Sequence, residues 1–292
     1  MNNQFEKLER NSKPLLLDGA IGSYLQQKGF ETNDILWTTK INQTNPEEII
    51  NVHREYIDAG ADIITTNTFR TNPSVLYKTG IRDLKFYVSE AVMLAKEASS
   101  SKNVLVAGSN APAEDCYQRQ RTLSYSELEL NHMKHIDLLV DSGIDFVLNE
   151  TQSHFDEINI ICEHCDKNEI PYLVSIYFDE NLKLLSGETV DETLALLNDS
   201  NVSAVGFNCI LPDLYYRLIG STKLPDKWGF YLNCGKGKQT DKVIECVMLP
   251  EEYLEVVKKS LPHFPSFIGS CCGSSPDHTK KMREFLDEKY SS

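Results

Sequence analysis

The chain has 292 residues, a formal net charge of −14 and a pI near 5.0. Hydrophobic residues make up 41% and charged residues 25%, a soluble globular balance with enough apolar material for a large core. So acidic a surface repels phosphate backbones and anionic lipid, which excludes nucleic acid and membrane as partners, and no apolar run reaches the ~20 residues of a membrane span. The first segment, MNNQFEKLERNSK, is polar and lacks the apolar stretch of a signal peptide. It predicts a short N-terminal extension at about 1–13 and a cytoplasmic protein. Beyond it, short β-rich apolar runs alternate with amphipathic stretches. The runs are 15–19, 61–67, 103–109, 145–150, 171–177, 204–209, 228–233 and 266–271. Near-continuous runs of this kind suit parallel strands buried on both faces. Helical patterns fall between them at 46–60 and 125–143, each closing on a glycine, and at 83–99, 250–261 and 275–289. The last opens on Ser275, Pro276 and Asp277, a helix-start signal. The sixth, 212–220, has the weakest pattern. Eight strand–helix pairs predict an α/β fold, a single (β/α)8 TIM barrel over residues 1–292. A doubly wound open sheet is the alternative, but neither glycine-rich nucleotide motif is present.

The eight cysteines include an adjacent pair, Cys271 and Cys272, at the end of the last apolar run with Gly269 and Gly273 around it. Such neighbours rarely bridge each other, because the ring would be very tight. In a barrel of this class the active site lies at the C-terminal ends of the strands. Those ends are Asp18-Gly19, Thr66-Asn67, Ser109-Asn110, Asn149-Glu150, Tyr177, Asn208-Cys209, Asn233-Cys234 and Cys271-Cys272. Cys209, Cys271 and Cys272 come from the sixth and eighth strands and can converge above the mouth. Three thiolates suit zinc and leave its fourth position open, the mark of a catalytic site. The plainer reading is that they are small buried residues. A zinc ion with three thiolates is electron-rich. It is better suited to holding a substrate thiol as thiolate than to making hydroxide, so the chemistry expected is alkylation of a thiol.

The segments LLLDGAIGSYLQQKG, AGADIITTNTF, NET, GFNC and GSCCG resemble, in order along nearly the whole chain, the homocysteine S-methyltransferases. That family includes S-methylmethionine- and betaine-dependent enzymes and the homocysteine module of cobalamin-dependent methionine synthase. The resemblance implies a (β/α)8 barrel that binds Zn2+ through Cys209, Cys271 and Cys272 and converts homocysteine to methionine. It implies that Asp18, Gly19 and Glu150 hold the amino-acid end of homocysteine, and that Asn233 ligates zinc when substrate is absent. YLNCGK departs from the family's usual PNAG-like segment there: the proline is lost and Cys234 added. Trp37 lies on the side implied for the methyl donor, where an aromatic face can receive a cation; Tyr177 and Tyr231 are weaker candidates, and Asn67 is counted with the substrate-binding residues. The length of the chain favours a sulfonium donor, S-methylmethionine or S-adenosylmethionine, whereas TTNTF looks more like the betaine and cobalamin branches. The alternatives are therefore a module accepting methyl from betaine or from a corrinoid protein partner, and a non-catalytic zinc-binding barrel.

Two other patterns are expected to carry no chemistry. The CEHC of residues 162–165 falls on the helix after the fourth strand, away from the mouth, as surface or packing residues. His132 and His135 are expected to be solvated on an outer helix.

Overall fold

The structure, a computed structural model, describes Asn3, Phe5 and residues 13–32, 35–100, 102–236 and 244–291; most of the expected extension 1–13 lies outside the described residues. Eight parallel strands form the barrel: β1 (Leu15–Leu16), β2 (Ile63–Thr65), β3 (Leu105–Asn110), β4 (Phe146–Gln152), β5 (Tyr172–Ile176), β6 (Val205–Asn208), β7 (Trp228–Leu232) and β10 (Phe267–Ser270). Between the last two, β8 (Gly235–Lys236) and β9 (Glu245–Cys246) pair as a small antiparallel hairpin. The strand order is β1-β10-β7-β6-β5-β4-β3-β2, and a bridge between Leu17 and Ile63 closes β2 onto the chain leaving β1.

The apolar runs are continuous because both faces are buried. Leu15, Leu17, Ile63, Phe146, Leu148, Leu173 and Phe267 fill one cluster, inside the barrel. Their sequence neighbours Leu16, Ile64, Val147, Val174 and Ile268 belong to the layer between strands and helices. This is the period-two alternation of a strand with apolar residues in both phases.

The helices follow their local signals. Pro46–Asp58 starts on proline with Glu47 and Glu48 in its first turn, which suits the positive end of the helix. It stops before Gly60, which takes φ +99°. Tyr125–Asp141 opens with a capping box of Ser124 and Glu127 and Pro276–Tyr290 with Ser275 and His278. The weak sixth pattern forms Pro212–Ser221, held by burial of Tyr215 and Leu218. Among the described residues no helix is long and apolar enough to cross a membrane.

Two expectations are corrected. The polar extension contributes to the core: Phe5 is fully buried and meets Phe146 and Phe267 edge-on, with ring centroids 5.7 and 6.1 Å away. His132 and His135 are not solvated; both are fully buried. His132 Nε2 lies 2.6 Å from Glu157. His135 bridges Asn110 Oδ1 at 2.8 Å and Thr71 Oγ1 at 2.9 Å, so the two rings tie their helix to the next helix, to the end of β3 and to the loop after β2. Cys162 and Cys165 are buried packing residues.

Candidate active site

One pocket at the C-terminal ends of the strands is lined by Asp18, Gly19, Trp37, Asn67, Glu150, Cys209, Cys271 and Cys272 among others. It encloses about 650 Å³ of empty space, open solvent at its mouth included. Asn233 is not part of its lining.

The three cysteines come together because β6 and β10 both pair with β7. Their Sγ atoms all lie within 4.8 Å of one another, and those of Cys271 and Cys272 are 4.0 Å apart. Tetrahedral zinc with bonds near 2.3 Å sets sulfurs roughly 3.8 Å apart, close to the Cys271–Cys272 separation, and three clustered thiols are a donor set whose chemistry suits that ion. The Sγ atoms of Cys209 and Cys271 are in direct contact. A metal-binding state needs this pair reduced, since only thiolates ligate. Cys209 sits at φ +55°, a left-handed conformation costing a non-glycine residue about 1–3 kcal/mol. Gly273, at φ +85°, ends the cysteine pair by turning the chain against Gly235, whose Cα a side chain would meet at 2.5 Å. Without metal, burial first and the Glu150 charge second push the Cys272 thiol up to about 12.

Cys234 is buried and stands outside the cluster found among the described residues; its Sγ faces the Leu232 carbonyl at 3.8 Å. Asn233 Nδ2 donates to the Cys209 carbonyl at 3.1 Å, while its Oδ1 is buried without a hydrogen-bond partner.

Two carboxylates share the pocket. Asp18 accepts from the Thr65 N–H at 2.7 Å and from Thr65 Oγ1 at 3.1 Å. Burial nevertheless pushes its carboxyl well above the usual range, and the Glu150 charge adds to that. Glu150 is pushed up to about 7 by burial, opposed by the Ser109 hydroxyl that donates to it. Its position depends on an irregularity in β4: the register with β5 shifts between Asn149 and Gln152. Thr151 takes φ +57° there, an outlier for a β-branched residue. Asn208 pins the bend, accepting from the Thr151 N–H at 3.0 Å and donating to Thr151 Oγ1 at 2.8 Å. Bulges of this kind re-aim side chains beside active sites. Neither carboxylate has a cationic side-chain partner among the described residues, so the pocket is built to take a positive group. No acceptor among the described residues takes the N–H of Gly19, a buried residue that lines the pocket, which leaves a donor for an anion.

Trp37 stands at φ +47° and meets Phe69 edge-on at 5.8 Å. It is seated over Gly22, where a Cβ would come within 2.3 Å of its ring. Asn67 lines the pocket, but its amide is occupied: Oδ1 accepts from Thr38 at 2.8 Å and Nδ2 donates to Asn42 at 2.8 Å. It holds the Trp37–Thr38 segment to β2. Tyr231 lines the pocket with a buried hydroxyl lacking a partner, as does Ser270. Tyr177 stands one layer back, edge-on to the lining residue Tyr117 at 5.0 Å.

Phe69, Tyr117, Thr151 and Ser270 were not singled out from the sequence. Phe69 closes the TTNTF segment and Thr151 follows Glu150, so both adjoin strand ends already read. Tyr117 sits seven residues past β3, in a stretch with no periodic signal.

Residues 15–286 match the family model described as homocysteine S-methyltransferase. A curated Arabidopsis thaliana homocysteine S-methyltransferase 1 is 29% identical, covering 89% of this chain and 90% of its own. The crystal structure of the Escherichia coli homocysteine methyltransferase MmuM in its metallated form superposes with a TM-score of 0.80 at 26% identity, over 97% of this chain and all of that one. The oxidised form of that enzyme superposes equally well, with a TM-score of 0.80.

Proposed function

Because the chain belongs to the homocysteine S-methyltransferase family, we propose that it is the zinc-dependent branch member that methylates homocysteine from a sulfonium donor, S-methylmethionine or S-adenosylmethionine, to give methionine. Membership of an enzyme family removes the alternative of a non-catalytic zinc-binding barrel. The observation that carries the reading is the placement of three cysteine sulfurs within 4.8 Å of one another in the same pocket as two uncompensated carboxylates. A thiol-bearing amino acid matches both at once.

Cys209, Cys271 and Cys272 would hold the zinc, which when bound would supply ionisation of the substrate thiol at neutral pH while keeping the sulfur nucleophilic. The chain's own residues do the rest. Asp18 and Glu150 receive the substrate ammonium, whose charge offsets the cost of burying two carboxylates together. The Gly19 N–H is available to the substrate carboxylate. Trp37 and Phe69 present aromatic surface to a cationic donor. In one displacement the bond from homocysteine sulfur to methyl forms as the bond from donor sulfur to methyl breaks. The electron pair leaves on a neutral thioether, so no general acid is required. Orientation and exclusion of water supply the acceleration. Asn233, whose Oδ1 lacks a partner, is the residue proposed to complete the metal's shell when homocysteine is absent.

The test is methionine formation, followed by mass spectrometry, from reduced zinc-loaded protein, homocysteine and S-methylmethionine. Product above a zinc-stripped control is expected. Product from betaine or methylcobalamin alone would overturn the sulfonium assignment and point to the other donor branches.

A further inference from the structure

The buried histidines of Tyr125–Asp141 belong to a polar network that ends at the irregularity in β4. Asn110, the last residue of β3, is fully buried and stands opposite Asn149 in the ladder. One carbonyl forces every orientation along the network. Asn149 Nδ2 donates to the Leu173 carbonyl at 3.0 Å. Asn149 therefore turns its Oδ1 to Asn110, whose Nδ2 donates to it at 2.7 Å. Asn110 Oδ1 then faces His135 Nδ1 at 2.8 Å, so that nitrogen carries a proton. Burial pushes the His135 ring down to about 3, so it is neutral and its Nε2 accepts from the Thr71 hydroxyl at 2.9 Å. The other hydrogen of Asn110 Nδ2 meets His132 Nδ1 at 3.2 Å, which must accept. His132 is thus protonated at Nε2, where it donates to Glu157 at 2.6 Å. Glu157 is anchored in turn by the Ala113 N–H at 2.8 Å and by Arg121 at 3.3 Å. Amide and imidazole groups offer each donor and acceptor in one place only, so the Asn110 side chain has a single orientation. Its main-chain carbonyl accepts from Gln152 Nε2 at 3.1 Å. Asn149 and Gln152 bound the register shift, and Glu150 and Thr151 lie between them. Asn110 grips both ends of the segment that aims Glu150, while its neighbour Ser109 donates to the Glu150 carboxyl.

We propose that Asn110 is a positioning residue for Glu150, with its amide locked by His132 and His135. A buried polar network gains little stability over apolar packing of the same volume. What it fixes is geometry, because each member satisfied in one orientation leaves its neighbours one orientation too. Apolar side chains at 110, 132 and 135 would fill the space and leave the β4 irregularity untied. A slip of one residue in register reverses the face that a side chain occupies, so ties at both ends decide where Glu150 points. The inference rests on the reading that Glu150 receives the substrate ammonium, and deepens it by naming the residues that hold the carboxylate in place.

The experiment is calorimetric binding of homocysteine and of 4-mercaptobutyrate, its analogue without the amino group, to reduced zinc-loaded protein. Wild type is compared with His135→Leu, His135→Asn, Gln152→Met and Glu150→Gln. Wild type is expected to prefer homocysteine. His135→Leu strips Asn110 Oδ1 of its donor and should cut that preference about ten- to a hundredfold, the size of a lost hydrogen-bonded charge contact. His135→Asn, whose amide restores a donor at the Nδ1 position, should recover most of it. Gln152→Met is close in volume and removes only the far tie. It should cut the preference about three- to tenfold, and it keeps the test decisive should His135→Leu fold poorly. Affinity for 4-mercaptobutyrate should stay within about twofold throughout. His135→Leu combined with Glu150→Gln should lose no more preference than Glu150→Gln alone, since both act through one contact. Equal weakening of the two thiols would overturn the proposal, making the network a support for the barrel as a whole. An unchanged preference in His135→Leu and Gln152→Met would overturn it too, while a loss in Glu150→Gln left the ammonium reading intact. A wild type that binds the two thiols equally would remove the ammonium reading itself, and the inference with it.

Discussion

The two ends of the barrel are built on opposed terms. At the end that the strands enter, Phe5, Phe146 and Phe267 meet ring against ring in a fully buried cluster. At the mouth, Asp18 and Glu150 share a buried pocket without a cation, and the Tyr231 and Ser270 hydroxyls lack partners. Three of the chain's left-handed non-glycine residues, Trp37, Thr151 and Cys209, line that pocket. One end is satisfied and the other is held in an unfavourable state that a ligand would relieve. Unsatisfied groups and strained backbone cost stability, and a closed, packed barrel can carry that cost because its core is made elsewhere.

The strongest way to break this contrast is at the sulfurs. Cys272→Ser should lose bound zinc and reduce methionine formation by about a thousandfold or more, since an essential activating group is removed. Its thermal melt in the metal-free state should be almost unchanged. Metal analysis beside a melting curve checks both halves, and a variant that keeps zinc and activity would refute the assignment.

Next come the carboxylates. Asp18→Asn and Glu150→Gln should each lower kcat/KM for homocysteine by about a hundredfold, the effect of removing one member of a buried charge contact. Glu150 also predicts a pH dependence. Its native pKa, raised from 4.5 to about 7, means that the folded protein holds a proton between those values that the unfolded chain has released. The native state is then destabilised as pH rises from 4.5 to about 7. Ammonium binding needs the charged form, so kcat/KM for homocysteine should rise as pH passes through 7. Glu150→Gln should weaken both trends, leaving what the raised Asp18 carboxyl contributes, which pH-dependent melts and rates will read.

At the other end, Phe5→Ala should lower stability by about 3 kcal/mol, as for loss of a buried aromatic ring, with kcat/KM within about twofold of wild type. Denaturant unfolding measures this directly; a large loss of activity in folded Phe5→Ala protein would show that the two ends are coupled. The smallest effect is expected from Gly22→Ala. The new methyl must displace Trp37, which sits 2.3 Å from it. The KM for the donor should rise about five- to tenfold, as for a weakened cation–aromatic contact, and that for homocysteine should not.

Much of this was legible in one dimension. All eight strands lie where the apolar runs placed them, because a strand buried on both faces leaves a local signature. The cysteine triad was legible from an adjacent pair at a strand end, and Asp18, Gly19, Glu150 and Trp37 do line the same pocket as the sulfurs. Other features had no local signal. His132 and His135 read as solvated, yet both are buried, since polarity does not reveal an internal partner such as Glu157 or Asn110. Asn67 read as a substrate ligand, and its amide is spent on Thr38 and Asn42.

What followed from the residues alone was therefore periodic or adjacent: the alternation of strands and helices, the helix starts at proline and stops at glycine, and the thiol pair. What needed the folded chain was long-range. Phe5 becomes a plug only because the barrel's entrance lies beside it. Glu150 is aimed by a bulge that Asn208, on another strand, holds in place. Backbone preference and side-chain periodicity act over a few residues. Burial, charge compensation and the sharing of one pocket depend on contacts between residues scores of positions apart, which closure of the barrel alone brings together.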